Sequence, residues 1–493
     1  MRDESSPNTT ASEPGDPTLG DVPPMVASQS LEWLQRYLVG HFGSVTTAPV
    51  AGSWTKGQLI KAAGPLPEEP RSLPGTLAFF EAQVAPGLLR WNHPRFAAYF
   101  ATSAPAPSII AEALVAAHNS NAMLASASPA GAELEAIVGR WYHQLLDVPA
   151  SLSPQLFTSA SQSHQHALVA AINRKTRGLA RRAGLTGQAP FAVYTSELGH
   201  FFARKNAVAA GIGEDWVRAV PADERGSMDL SALAKMMEAD LAAGIQPVMV
   251  IATVGTTSIT SVDNVPGIAK ICRQHSVWCY VDAAYGGAFA CLPECRWVAD
   301  GWDLADAVCV NPHKGLFVPQ GCSVLFLRDR QELRRVCDHR AEYLPESDLE
   351  EGDPMDFTFL CGVRVNTLAS FFNLMTFGAE GIRRRVRALL GLATFAANRI
   401  AGDPMFELLA SPRFSTVCFT LRGDPDQSRQ ALDARVSQVC SSIQTAGRCW
   451  ISQTRYRNRV WFRLALGNLN TTRDDVNFIL DEVRNTVIQV KTR

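Results

Sequence analysis

Hydrophobic positions along the chain follow two spacings, and the change between them divides it. From about residue 150, short runs that are apolar at every position alternate with stretches of helical period. The strand-like runs are 191–194, 248–254, 278–281, 307–310 and 324–327; the helix-like stretches are 162–183, 200–210, 229–243 and 264–275. A strand that is apolar on both sides needs cover on both faces, and strands alternating with helices build an open, mostly parallel α/β sheet. Ligands of such sheets sit at the carboxyl ends of the strands. After about 385 the period becomes two: Val417, Phe419 and Leu421, then Val460, Phe462, Leu464 and Leu466, alternate with polar or small residues. That spacing predicts half-buried antiparallel strands in a smaller α+β region. A terminal helix follows, with Thr472 as N-cap and Val476, Leu480, Val483 and Val487 on one face. At the other end, residues 1–25, rich in Ser, Pro, Thr, Asp and Gly, read as a disordered tail. Leu31, Leu34, Tyr37 and Leu38 predict an amphipathic helix over 30–41, and a second helical tract opens near Gly75.

Composition adds mainly exclusions. The 493 residues are 46% hydrophobic and 19% charged, the balance of a soluble globular protein. A net charge of −1 offers no field to hold nucleic acid or an anionic membrane. Arg383, Arg384, Arg385 and Arg387 share one helix-like run and read as a solvated or partner-facing surface. Eleven cysteines follow neither a disulfide nor a zinc spacing, so reduced thiols, no metal and a cytoplasmic location are expected. The N-terminus shows no basic region followed by an apolar run, and no stretch approaches about 20 apolar residues; neither a signal peptide nor a membrane span is expected.

The candidate chemistry stands at the strand ends. WCYVDAAYGG puts Asp282 at the end of one apolar run, and VNPHKG puts Lys314 just past another, 32 residues later. A carboxylate there is a cap or loop anchor, or the partner of a buried cation; a lysine there is a solvated loop residue, or an amine that does covalent chemistry. Both in one crevice suit pyridoxal phosphate: the lysine condenses with the cofactor aldehyde, and the aspartate keeps the pyridine nitrogen protonated so that the ring accepts electrons. LFTSASQSHQHALVAA supplies a hydroxyl-bearing turn, 158–161, before a helix start near Gln162. Free N–H groups at a helix start bind anions, although an ordinary Ser/Thr cap has the same appearance. VYTSELGHFFARKNA brings His200 to a helix start, either to stack on a cofactor ring or as a structural histidine. ATVGTTS puts Thr256 and Thr257 after a buried strand, where a simple turn is the alternative.

The order of these segments (phosphate turn, histidine, threonine turn, aspartate, lysine) and the words YVDAAYGGAF and NPHKG resemble the group II pyridoxal-phosphate-dependent amino acid decarboxylases. Within that group the likeness is greatest to the aromatic-L-amino-acid decarboxylases. Their substrate-pocket and dimer region is matched by WNHPRFAAYFATSAPAPSIIAEAL (91–114) and SASPAGAELEAIVGRW (126–141). The resemblance runs from about residue 30 to the C-terminus. It implies fold type I: a large α/β domain with a mostly parallel seven-stranded sheet flanked by helices, a small C-terminal α+β domain and an N-terminal helical segment. Residues 26–112 would be the helical dimerisation segment, 113–385 the large cofactor domain and 386–493 the small domain. It implies a homodimer with the active site at the interface and an L-amino acid as substrate.

Residue by residue, the resemblance makes Lys314 the cofactor-bearing lysine and Asp282 the partner of the pyridine nitrogen, with Ala284 against the ring. Ala160 and Ser161 would contact the phosphate, His200 would stack on the ring near the substrate carboxylate, and Thr257 and Asn311 would help hold the cofactor. Trp91, Tyr99, Phe100 and Thr102 would line the substrate pocket, with His313 close by. Tyr343, in AEYLPES, matches the loop tyrosine that protonates the substrate carbon after carbon dioxide leaves. The polar segment ESDLEEGDPMD after it suits a loop that opens and closes.

Three departures, at five positions, separate the chain from the pattern of the aromatic enzymes. Gly315 follows the lysine in place of tryptophan, Gln162 and His164 replace the usual residues of the phosphate-turn helix, and Asn121 and Met123 replace larger apolar groups that reach across the dimer. They leave the substrate more open than the chemistry. The pocket aromatics favour an aromatic amino acid, and Gly362, at a position where glycine leaves room for an indole, leans to tryptophan. The expected reaction is decarboxylation to the amine. The alternatives are a non-aromatic substrate, or the aldehyde-forming oxidative relatives, in which phenylalanine typically replaces the loop tyrosine.

Overall fold

A computed structural model describes residues 21–100, 103–345, 347, 349, 352–423 and 427–491. Two compact units divide between Arg90 and Trp91. The first carries the helix Pro24–Ser44, wider at both ends than the expected 30–41, with no residue of it buried. Most of the expected tail lies outside the described residues. The second unit holds two sheets.

The larger sheet has seven strands: β1 (Ser153–Phe157), β2 (Phe191–Ser196), β3 (Val217–Val220), β4 (Gln246–Thr253), β5 (Trp278–Asp282), β6 (Ala307–Val310) and β7 (Ser323–Leu327), in the order β1-β7-β6-β5-β4-β2-β3. The pairs from β6 through β5, β4 and β2 to β3 are parallel, and β7 runs antiparallel to both neighbours. Every residue of β2, β5, β6 and β7 is buried, as the continuous apolar runs require when helices cover both faces. β3 escapes the sequence pattern because it is four residues long with Arg218 and Ala219 at its centre.

The smaller sheet orders β8 (Phe406–Leu408), β9 (Thr416–Leu421), β10 (Trp450–Tyr456) and β11 (Arg459–Ala465) as β10-β11-β9-β8, all antiparallel, with Phe96–Ala97 added in parallel beside β10. The expectation of half-buried strands is corrected here: all six residues of β9 and six of the seven in β11 are buried. Their second face packs on loops at the carboxyl ends of the large sheet. The Cys418 thiol meets the Ser258 carbonyl at 3.6 Å, and the Tyr285 hydroxyl lies 2.8 Å from that of Thr416. The terminal helix Arg473–Lys491 starts as expected, the Thr472 hydroxyl accepting from Asp475 N and the Asp475 carboxylate from Thr472 N.

Both interior boundaries expected from the sequence, 112/113 and 385/386, fall inside helices, Ala106–His118 and Thr367–Ala401. The nearest natural break is Gly378, whose φ of 62° interrupts the second of them.

Candidate active site

The carboxyl ends of β5 and β6 meet where Asp282 and Lys314 stand. Asp282 is the last residue of β5, paired in register with Thr253 and Cys309, and only 6% exposed. One carboxylate oxygen accepts from Ala284 N at 3.1 Å; the other takes no hydrogen bond among the described residues. Lys314 lies on the single helical turn Pro312–Gly315 after β6. Burial pushes its amine below the usual ammonium range, with the Asp282 charge pulling the other way. The two charges influence each other, yet no ion pair joins them among the described residues. Burying both is costly unless a further group is held between them.

His200 completes this cluster. It follows β2 through Gly199, where a side chain would strike the Thr195 hydroxyl at 2.2 Å, so glycine is what permits the tight turn. Its Nδ1 accepts from Phe202 N at 3.1 Å, fixing the ring. Burial lowers its pKa, Asp282 opposes that, and Lys314 adds to it. Asn311 and His313 are buried on the segment that carries Lys314. His313 Nδ1 donates to the Cys322 carbonyl at 2.5 Å, which leaves Nε2 as acceptor 3.5 Å from Asn311 Nδ2. Burial holds this imidazole neutral, at about 4.

The phosphate turn opens the helix Ala160–Lys175. Ser159 caps it, its hydroxyl accepting from Gln162 N at 3.2 Å. The N–H groups of Ala160 and Ser161, at the first two helical positions, precede any intrahelical partner. In the threonine turn, Thr256 is buried and bonded to Ser261 at 2.8 Å, whereas Thr257 is exposed. Ala284, whose N–H meets the Asp282 carboxylate, is itself buried.

Of the expected aromatic wall, only Phe100 reaches Lys314, whose amine lies 5.1 Å from the ring centre. Phe100 also stacks on Tyr285 at 3.8 Å. Trp91 and Tyr99 stack on each other at 5.5 Å and are 41% and 51% exposed. Thr102 lies outside the described residues. The sequence reading missed Arg463, in the middle of β11. Its guanidinium stands 4.5 Å from the Phe100 ring centre and donates Nη1 to the Tyr99 carbonyl. Nε and Nη2 are buried without a hydrogen-bond partner among the described residues, and burial lowers the pKa of the group. The signal was a charged residue in a strand whose other face was taken to be solvated.

Other candidates gather elsewhere. The Asn121 side-chain oxygen Oδ1 accepts from Met123 N and Val363 N, so 121–123 and the Gly362 segment form one group. Gly362 lines a cavity with Thr158 and Gln162, at the start of the cradle helix Ala160–Lys175. Tyr343 is 84% exposed and makes no hydrogen bond among the described residues. The glycine that stands in place of tryptophan after the lysine has a local reason: a Cβ at Gly315 would meet that of fully buried Ala288 at 2.5 Å, so the lysine turn packs closely on the core.

The donor set fits pyridoxal phosphate: a lowered-pKa amine, a buried carboxylate with a free oxygen, a fixed imidazole and unpaired N–H groups at a helix start. A family model, the pyridoxal-dependent decarboxylase conserved domain, matches residues 58–422. The chain belongs to this family. The decarboxylase is 29% identical to mouse (Mus musculus) aromatic-L-amino-acid decarboxylase over 89% of this chain and 92% of that one. It is 32% identical to rice (Oryza sativa) tyrosine decarboxylase over 79% and 76%. A rice TDC solved with PLP and tryptamine matches with a TM-score of 0.90 at 25% identity, covering 96% of this chain and 99% of that one. The protein is thus a pyridoxal-phosphate-dependent amino acid decarboxylase of fold type I. Among the described residues no helix is long and apolar enough to cross a membrane.

Proposed function

We propose that the decarboxylase acts on an L-amino acid with an aromatic side chain, releasing carbon dioxide and the amine, as a cytoplasmic homodimer with its active site at the subunit interface. The observation that carries this reading is the Phe100 ring, stacked on Tyr285 and flanked by both Lys314 and Arg463. The names of the relatives, which include aromatic-L-amino-acid and tyrosine decarboxylases, support it. No described residue lies within 4 Å of a Cβ on Gly362, which supports the lean towards tryptophan.

Bound pyridoxal phosphate supplies an electron-accepting ring conjugated to the substrate amine. Lys314 would hold the cofactor, and its lowered pKa makes the neutral, nucleophilic amine more available. Asp282 would keep a proton on the pyridine nitrogen through its free oxygen. Ala160, Ser161 and Thr257 would hold the phosphate end, Asn311 and His313 the edge of the site, and His200 would cover the ring face. The unpaired nitrogens of Arg463 would orient the substrate carboxylate, turning the bond to be broken out of the ring plane. Tyr343 would deliver the proton that replaces carbon dioxide at Cα once its segment covers the crevice and excludes water.

A mass-spectrometric screen of the common amino acids tests this reading directly. Aromatic substrates should give the amine, with tryptophan among the best; turnover confined to acidic or aliphatic amino acids would overturn it. Tyr343→Phe should lower amine yield and let aldehyde appear, and unchanged amine output would remove Tyr343 from the mechanism.

A further inference from the structure

Two side chains beneath the phosphate turn have no part in the chemistry above. Asn206, buried on the helix Phe202–Ala209, donates its amide nitrogen to the Ser161 carbonyl at 2.8 Å and faces His164 Nδ1 at 2.9 Å. A carbonyl only accepts, so the Ser161 contact settles which end of the Asn206 amide points there. The second hydrogen of that nitrogen then goes to His164 Nδ1, which must be the unprotonated nitrogen of a neutral ring. Burial keeps the ring neutral, its pKa pushed down to about 3. Nε2 is buried with no hydrogen-bond partner among the described residues, and the ring stands edge-on to Tyr280 at 5.0 Å and 4.6 Å from Phe202. A buried imidazole with one nitrogen unsatisfied is expensive where an apolar side chain would pack. What the histidine adds is one acceptor, aimed at Asn206.

We propose that His164 and Asn206 are a positioning pair for cofactor binding: His164 holds the Asn206 amide, which holds the Ser161 carbonyl and so keeps the N–H groups of Ala160 and Ser161 aimed at the phosphate. The same amide ties the cradle helix to the helix that begins beside His200, so phosphate end and ring face are set by one contact. This rests on the placement of the phosphate at Ala160 and Ser161, and the experiment separates the two ideas. Apoenzyme is titrated with pyridoxal 5′-phosphate and with pyridoxal, which lacks the phosphate, and binding is read from the absorbance of the bound cofactor. In His164→Leu the phosphate form should bind about tenfold more weakly, about 1.4 kcal/mol, with pyridoxal unchanged. Asn206→Ala, which breaks the pair from the other side, should repeat the loss should the first variant fold poorly. His164→Gln, which restores an acceptor, should recover wild-type affinity. Loss of both ligands alike, or of neither, in a folded variant would overturn the pair alone, provided the wild type prefers the phosphate form. A wild type that binds pyridoxal as tightly as its phosphate would overturn the phosphate placement and the pair with it.

Discussion

The crevice around Asp282 and the segment around Tyr343 serve the same proposed reaction and are built in opposite ways. Asp282, Asn311 and His313 are at most 6% exposed, and each is fixed by strand register or by a hydrogen bond to the main chain or a neighbour. Tyr343 is 84% exposed and held by nothing among the described residues. Groups that stabilise charge act best when already in place and dry, because no reorganisation is needed as the charge develops. A group that delivers a proton late must leave room for substrate to enter and for product to leave. The difference therefore separates electrostatics, stored in the core, from proton delivery, placed at the surface.

The sharpest way to break that comparison is to remove the central amine. Lys314→Ala should lower carbon dioxide release at least about a thousandfold and abolish the visible absorbance of the bound cofactor. Retained absorbance would mean that another amine carries the cofactor and that the crevice has been misread. Next in size is Arg463→Met. If its free nitrogens meet the substrate carboxylate, kcat/KM should fall roughly thirtyfold, about 2 kcal/mol, mostly through KM. Because the guanidinium is buried and only partly satisfied, the same change should leave the melting temperature equal or higher. A large fall in stability with KM intact would make Arg463 a structural residue.

The sequence displayed one of these regions far better than the other. β2, β5, β6 and β7 were legible because a strand buried on both faces is apolar at every position, and that requirement is local. Asp282 and Lys314 were legible as charges at the ends of such runs. Arg463, Gly315 and the full burial of β9 and β11 were not, because each depends on a surface supplied by a distant part of the chain: Phe100 for Arg463, Ala288 for Gly315, and the strand-end loops for the small sheet. A two-residue period states that a strand has two different faces; it does not state that the polar face meets solvent.

Burial of histidine around the crevice predicts an acid lability that the exposed segment cannot share. His164, His166 and His313 are pushed from 6.5 down to about 3, about 4 and about 4, each chiefly by burial. A group whose pKa falls on folding binds its proton more readily in the unfolded chain. Stability is therefore intact above pH 6.5 and drains as pH falls towards 4, at about 1.4 kcal/mol per pH unit for each histidine. Asp263, raised to about 6 by burial, works the other way between its ordinary 3.8 and 6 and offsets roughly one of the three. His166 isolates one share of the effect. Its Nε2 accepts from Phe359 N at 3.0 Å, and its Nδ1 donates to the Gln162 carbonyl at 2.8 Å. A glutamine amide can offer one acceptor and one donor without titrating. His166→Gln should flatten the pH dependence of unfolding free energy between 6.5 and 4 by about 1.4 kcal/mol per pH unit. Denaturant titrations at half-unit steps would measure it. An unchanged slope would mean that His166 is protonated in the folded state, and that the buried side of the comparison is wetter than its geometry implies.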